Sequence, residues 1–205
     1  MRITLIVEGE TELVFMPCLR DFVRCRLTGH GPMPKLISMN QRGRIPTGGK
    51  LQRLVETLLN DRHSPADHVI ALTDVYTGTT DFKDAEDAKE KMRKWVGNEP
   101  RFHPHVAQHD FEAWLLPYWS TIKRLAGHNG AAPSGQPELV NHNQPPALRL
   151  RKIFAKGTCR RAYVKTRDAK RILKDNDLMV AVGQCPELRA LVNTILSVSG
   201  GTVIP

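Results

Sequence analysis

Apolar and polar positions along the chain fall into two alternating patterns. Ile3 to Val7 is a short, branched, apolar run of the kind that forms a buried strand. From Glu12 to Arg26 the spacing becomes helical, with Leu13, Phe15, Met16, Leu19, Phe22 and Val23 recurring at three- and four-residue intervals. Gly29, Gly31, Pro32 and Pro34 then mark a loop. The alternation repeats. Lys35 to Met39 predicts a second strand, and Lys50 to Asn60 a second helix with Leu51, Leu54, Val55 and Leu58 on one face. Val69 to Asp74 predicts a third strand, Val75 to Thr80 a turn, and Phe82 to Val96 a charged helix. Arg101 to Gln108 predicts a shorter fourth strand that leads into a helix beginning at His109. Strands alternating with helices predict an α/β fold: a mainly parallel sheet of about four strands with helices on both faces.

The pattern changes at Gly127. From there to Pro146 the chain is rich in Gly, Pro, Asn and Gln and reads as a linker or mobile loop. Helical segments follow at Ala147 to Ala155, Thr166 to Lys174 and Pro186 to Leu196, with a strand expected at most around Ala162 to Val164. The expected organisation is an α/β domain over residues 1–126, and a loop plus helical extension over 127–205 packed on it.

Charge narrows the function. The net charge is +9, which favours a polyanionic partner such as nucleic acid. Cys18, Cys25, Cys159 and Cys185 lack paired metal-ligand spacing; Cys18 and Cys25 read as core packing on one helical face. His103, His105 and His109 alternate but lack the further converging ligands that zinc needs. No apolar run approaches the roughly 20 residues of a membrane span, and the N-terminus lacks the order of a signal peptide. A cytoplasmic protein is expected, with no membrane partner.

Three predicted strands end on acids. The first delivers Glu8, with Glu12 one helical turn on. The third delivers Asp74, and the fourth leads to Asp110 and Glu112. Acids at helix starts commonly cap free amides, and Asp110 has that reading. Several acidic strand ends on one edge of a parallel sheet also suit Mg²⁺ or Mn²⁺, since ligands gather at that edge. The cations lie elsewhere. Arg42 and Arg44 sit in a glycine-rich loop that fits neither a Walker loop nor a dinucleotide fingerprint. A second group, including Arg160, Arg161 and Arg167, crowds a C-terminal stretch. Both groups are candidates for phosphate-backbone contacts.

Val7-Glu8-Gly9-Glu10-Thr11-Glu12, followed by Leu72-Thr73-Asp74-Val75-Tyr76, resembles the Toprim domain in the form found in the overcoming-lysogenisation-defect (OLD) nucleases. Gln108-His109-Asp110-Phe111-Glu112, Lys165-Thr166 and Cys185-Pro186 resemble segments of an uncharacterised bacterial Toprim-like family. The resemblance implies a divalent-metal-dependent nuclease or related phosphotransfer enzyme acting on nucleic acid, DNA before RNA, in DNA repair or phage defence. It implies metal binding by Glu8, Glu12 and Asp74, with Glu8 as ligand or general base and Lys165 steadying charge on the phosphate. The second aspartate of the family's Asp-x-Asp motif is replaced by Tyr76, and Asp81 or Glu112 are the candidates to replace it. The alternative it implies is a non-catalytic nucleic-acid-binding module that partners an ATPase.

Overall fold

The computed structural model describes residues 1–27, 31–75, 82–140 and 144–205. Its sheet has four parallel strands, β1 (Arg2–Val7), β2 (Lys35–Asn40), β3 (His68–Val75) and β4 (Phe102–Gln108), in the order β2-β1-β3-β4. The expected parallel α/β architecture is therefore present. β1 and β3 are central and read as nearly continuous apolar runs because both their faces are covered. β2 lies at one edge and is correspondingly less buried.

The helices distribute by the direction of each crossover. β1 is joined to β2 by α1 (Glu10–Leu27), whereas β2 to β3 and β3 to β4 run the opposite way across the sheet through α2 (Gly49–Leu59) and α3 (Ala85–Val96). With right-handed crossovers, that reversal puts α1 on one face and α2 and α3 on the other. Two cores result. Ile6, Val69, Ala71, Val75 and Val106 pack with α2 and α3, while Ile3, Leu5, Val7, Ile70 and Leu72 pack with α1. The C-terminal helices join the second core: α5 (Pro146–Lys156), α6 (Lys165–Lys174), α7 (Leu178–Gln184) and α8 (Pro186–Val198).

Several local expectations are corrected. The helix expected from His109 begins as a 3₁₀ segment, Phe111–Tyr118, and becomes α-helical only in α4 (Trp119–Ala126). Pro117 lies inside that segment, where it lacks the N–H that either winding would use, and regular α-helix begins two residues beyond it. Residues 162–164 form no strand, and α7 was not anticipated. The stretch from Gly127 to Pro146 is not merely a linker. Glu138 is buried within it, accepting hydrogen bonds from Trp114 Nε1 at 2.8 Å and from the backbone N–H groups of Glu187 and Leu188 at 3.0 and 3.2 Å, which caps α8. Cys25 is exposed rather than packed in the core. Among the described residues, no helix is long and apolar enough to cross a membrane.

The three histidines go separate ways. His103 pairs with His68 at 3.1 Å, and His105 Nε2 meets Thr194 Oγ1 of α8 at 2.9 Å. Burial drives the His105 pKa down to about 3, helped by repulsion from His103, Lys89 and Arg93. Its contribution is thus complete above the unfolded value near 6.5 and is lost as pH falls toward the folded one, because the unfolded chain takes up the proton first. Wild type should lose its stability advantage over His105→Leu by about 1.4 kcal/mol per pH unit between about pH 6 and 4, read from denaturant melts; a constant difference would exclude it.

Candidate active site at the carboxyl edge of the sheet

In a sheet ordered β2-β1-β3-β4, the chain departs in opposite directions from β1 and β3, which opens a crevice beyond their carboxyl ends. Glu8 follows the last residue of β1, and Val7 lies opposite Leu72, so Glu8 stands level with Thr73 and beside Asp74. The Glu8 carboxylate bridges the two strands. Its Oε1 accepts from the Thr73 hydroxyl and, at 3.3 Å, from the Asp74 backbone N–H. Burial raises the Glu8 pKa, and Glu12 raises it further. The Thr73 and Asp74 donors and the nearby Arg44 oppose the shift.

Only Glu8 and Gly9 separate β1 from α1. The Glu12 side chain folds back over the first helical turn, where Oε2 accepts from Gly9 N–H at 3.1 Å. This is the carboxylate half of a capping box, so Glu12 has a structural task at the helix start. Burial raises its pKa, the donated bonds and Lys165 lower it, and Glu112 repels it.

β4 supplies the opposite wall. His109 turns the chain with φ 70°, a left-handed conformation unusual for a side-chain-bearing residue, while its N–H donates to Val75 O at 2.9 Å. That turn sends Asp110 and Glu112 inward, where they are 1% and 0% exposed. Glu112 accepts from Lys165 Nζ at 3.2 Å and from the Tyr163 hydroxyl at 3.4 Å. Lys165 opens α6, and burial works against its charge. Glu112, Asp74 and Asp110 together hold its pKa above the usual lysine value. Asp110 Oδ2 accepts from the N–H of Ala147 in the first turn of α5 at 3.1 Å, while Oδ1 is buried without a hydrogen-bond partner among the described residues. Burial and Glu112 push the Asp110 pKa up to about 7, against the pull of the Ala147 bond and Lys165.

Glu8, Glu12, Asp74, Glu112 and Lys165 are thus neighbours through these contacts and mutual fields, around one rim. Asp110, which the sequence offers both as a strand-end acid and as a helix cap, joins them, as do Thr73 and Tyr163, to which sequence reasoning gave no role in the site. Asp110 carried the signal of a strand-end acid but read equally as a local cap; it caps α5, a helix distant in sequence. Among the described residues, no three His, Cys, Asp or Glu side chains form a ready-made metal cluster. Tyr76 and Asp81, the positions bearing on the second aspartate, lie outside the described residues.

The expected phosphate contacts divide. Arg42 and Arg44 are exposed on the loop that leaves β2 at the same edge, where Gly43 N–H donates to Glu8 O at 2.8 Å. Arg160 is exposed. Arg161 and Arg167 are engaged otherwise. Both grip Asp168, which is 0% exposed: Arg161 Nη1 lies 2.8 Å from Oδ1, and Arg167 Nη2 lies 3.0 Å from Oδ2. Arg161 also stacks over Phe154, with 4.5 Å to the ring centroid, and Arg167 Nη2 donates to Ala162 O at 3.0 Å. These two guanidiniums build the entry to α6 and so position Lys165.

The architecture and this rim define an α/β protein with an acidic centre at the switch point of its sheet. The chain belongs to the family described as Domain of unknown function (DUF4276), which matches residues 7–196. Its structure is similar to the C-terminal region of the Burkholderia pseudomallei OLD protein, with a TM-score of 0.55, 13% identity, and coverage of 97% of this chain and 98% of that one. The C-terminal region of the Xanthomonas campestris pv. campestris OLD protein gives a TM-score of 0.41 at 12% identity, covering 93% of this chain and 95% of that one. At such identities the first likeness is one of fold alone, and the second carries no further weight. No curated protein matches the sequence.

Three substitutions test these contacts through stability. Lys165→Met should destabilise the protein by about 1–2 kcal/mol, the buried-pair cost reduced because the ammonium is partly exposed. Glu112→Gln should cost less, since Lys165 retains access to water; a Lys165→Met melt indistinguishable from wild type would contradict the pairing. Asp168→Asn should cost about 2–3 kcal/mol by leaving two guanidiniums short of their counter-charge; a melt within 0.5 kcal/mol of wild type, roughly the surface-substitution range, would refute the clamp.

Proposed function

We propose that this protein is a divalent-metal-dependent nuclease, or a related phosphotransfer enzyme, of Toprim type acting on nucleic-acid phosphodiesters. The observation that carries the reading is the convergence of Glu8, Asp74 and the Asp110–Glu112 pair, from three strand ends, on a crevice that also receives Lys165.

The donor set fits a hard cation. Every acidic donor is a carboxylate oxygen, burial and like charge raise the pKa values of Glu8, Glu12 and Asp110, and Asp110 Oδ1 is an orphan among the described residues. Magnesium keeps several waters and uses one or two protein carboxylates, so a prebuilt cage is not required. Glu8 and Asp74 would hold the ion, with Glu12 and Glu112 flanking it. When bound, Mg²⁺ or Mn²⁺ supplies the positive charge that activates a water and stabilises a leaving oxygen. Glu8 holds the site across β1 and β3 and is poised to accept a proton. Lys165, kept charged by its acidic neighbours, faces the rim where a phosphate oxygen would gain charge. Arg42 and Arg44 stand on the same rim to meet the flanking backbone. DNA is the favoured substrate.

A second reading has an observation of its own. Lys165 already neutralises Glu112, and no three-ligand cluster forms among the described residues. In that reading the rim serves a non-catalytic nucleic-acid-binding module, partnering an ATPase.

Cleavage of plasmid and oligonucleotide substrates with Mg²⁺ or Mn²⁺, in wild type beside Glu8→Gln, separates the two. The nuclease reading expects a loss of about 10²-fold or more in the variant, at a Tm no lower than wild type, because removing this buried charge relieves repulsion. Equal cleavage by both identifies a contaminant. No cleavage by either, with oligonucleotide binding intact, favours the module. Calorimetric titration of metal without substrate reports ion binding independently of turnover.

A further inference from the structure

Away from the acidic rim lies a pocket of about 260 Å³ lined by Trp119, His128, Arg149, Lys152, Ile153 and Lys156, with Ala131, Pro133 and Gln144 completing it. Every charged residue lining it, among the described residues, is a cation. Arg149, Lys152, Ile153 and Lys156 fall at the three- and four-residue intervals of one face of α5, the face beside the buried stripe of Pro146, Leu150 and Phe154. Lys152 and Lys156 are exposed.

The aromatic wall is built. Gly130 fixes both rings, its carbonyl accepting from Trp119 Nε1 at 3.0 Å and its N–H donating to His128 Nδ1 at 2.8 Å. A side chain at Gly130 would collide with the His128 ring, so the close approach needs glycine. Indole and imidazole are thereby held half-buried, leaving ring surface in the pocket.

The direction of α5 connects this pocket to the acidic site. Its first turn is tied to Asp110 through Ala147 N–H. From Arg149 to Lys156 the cationic stripe spans about 10 Å, seven residues at about 1.5 Å each. That length matches roughly three nucleotides at the stacked spacing of about 3.4 Å. Cations spaced along a helix and fixed aromatic faces are the two elements that single strands need, phosphates to the charges and a base to the ring.

We infer that α5 is a track for single-stranded nucleic acid leading to the acidic crevice, with phosphates on Arg149, Lys152 and Lys156 and one base against Trp119 and His128. The orientation toward the crevice rests on the proposed function; the binding surface does not. A duplex would present its bases stacked and paired, so the aromatic pocket selects an unpaired strand.

The test uses the full chain in EDTA, so that no strand is cut, with labelled oligothymidylate, oligouridylate and a duplex of equal length. Anisotropy gives affinity, and tryptophan emission reports stacking. Lys152→Gln/Lys156→Gln should weaken single-strand binding about tenfold or more at unchanged Tm, and lower the slope of log K against log salt by about 1.4. Emission should be quenched on binding in wild type and unquenched in Trp119→Phe. Gly130→Ala should lose the quench while keeping the salt slope. Unchanged affinity in the double variant, persistent quenching in Trp119→Phe, or equal binding of the duplex would overturn the inference. An oligonucleotide held by these residues but never cut with Mg²⁺ or Mn²⁺ removes the nuclease reading and leaves the track standing. Normal cleavage with wild-type affinity in the double variant does the reverse.

Discussion

The burial of several carboxylates at one crevice, compounded by the repulsion among them, is the constraint on which the rest of this structure depends. Glu8, Glu12, Asp110 and Glu112 are each largely or wholly withdrawn from water. Such a group left alone neutralises itself by taking a proton, and the raised pKa values of Glu8, Glu12 and Asp110 record that tendency. The protein counters with three kinds of positive field. Backbone N–H groups of Asp74, Gly9 and Ala147 donate to three of the carboxylates. One ammonium, Lys165, sits among Glu112, Asp74 and Asp110. Arg44 tempers Glu8 from the edge loop. None of these cancels the excess acid, and it is the uncancelled part that makes a hard cation the natural further occupant in the proposed nuclease.

This constraint explains why the C-terminal helices share a core with the sheet. Lys165 is useful only if α6 begins at the crevice. The Arg161–Asp168–Arg167 clamp fixes that start, with Val164 N–H also donating to Asp168 Oδ2 at 2.8 Å. Asp110 makes a comparable long-range tie to α5, and Glu138 caps α8 from the loop that precedes α5. Lys89 of α3 meets Glu187 of α8 at 3.0 Å, joining helices assigned to the two separate cores. Polar contacts with poor tolerance for misplacement therefore set where each helix enters, while apolar packing supplies the bulk of the burial.

What could be read from the sequence follows from how local each signal is. The four strands, and the acids at the ends of three of them, are legible because period and strand-end position are properties of a few adjacent residues. The parallel arrangement followed from the alternation. Asp110 was undervalued because its partner, Ala147, is 37 residues away, and nothing in Gln108-His109-Asp110 announces it. Arg161 and Arg167 read as phosphate contacts because a run of basic residues looks the same whether it faces a polyanion or wraps one buried acid, and Asp168 is a single letter among them. The Gly- and Pro-rich stretch reads as a linker on composition, which is blind to Glu138 being drawn into a helix cap. Lys165 entered only through resemblance, since no periodicity distinguishes it from its basic neighbours.

The separation of charge by sign also bears on how a polyanion approaches. A chain of net charge +9 with an acidic centre must carry its positive potential on the periphery. Arg42 and Arg44 border the crevice on the β2 side, while α5 runs away from it on the β4 side. In the proposed function, a phosphate backbone drawn in by either group would be repelled at the centre until a cation, whether the Lys165 ammonium or the proposed divalent ion, faced it there. In that proposal, attraction at the flanks with conditional acceptance at the centre would separate holding a strand from acting on it. Removing flanking charge should therefore act mainly on affinity and its salt dependence, and altering the centre mainly on events after binding. The two kinds of change report on different steps because the fold places the exposed cations on the flanks and the carboxylates at the centre.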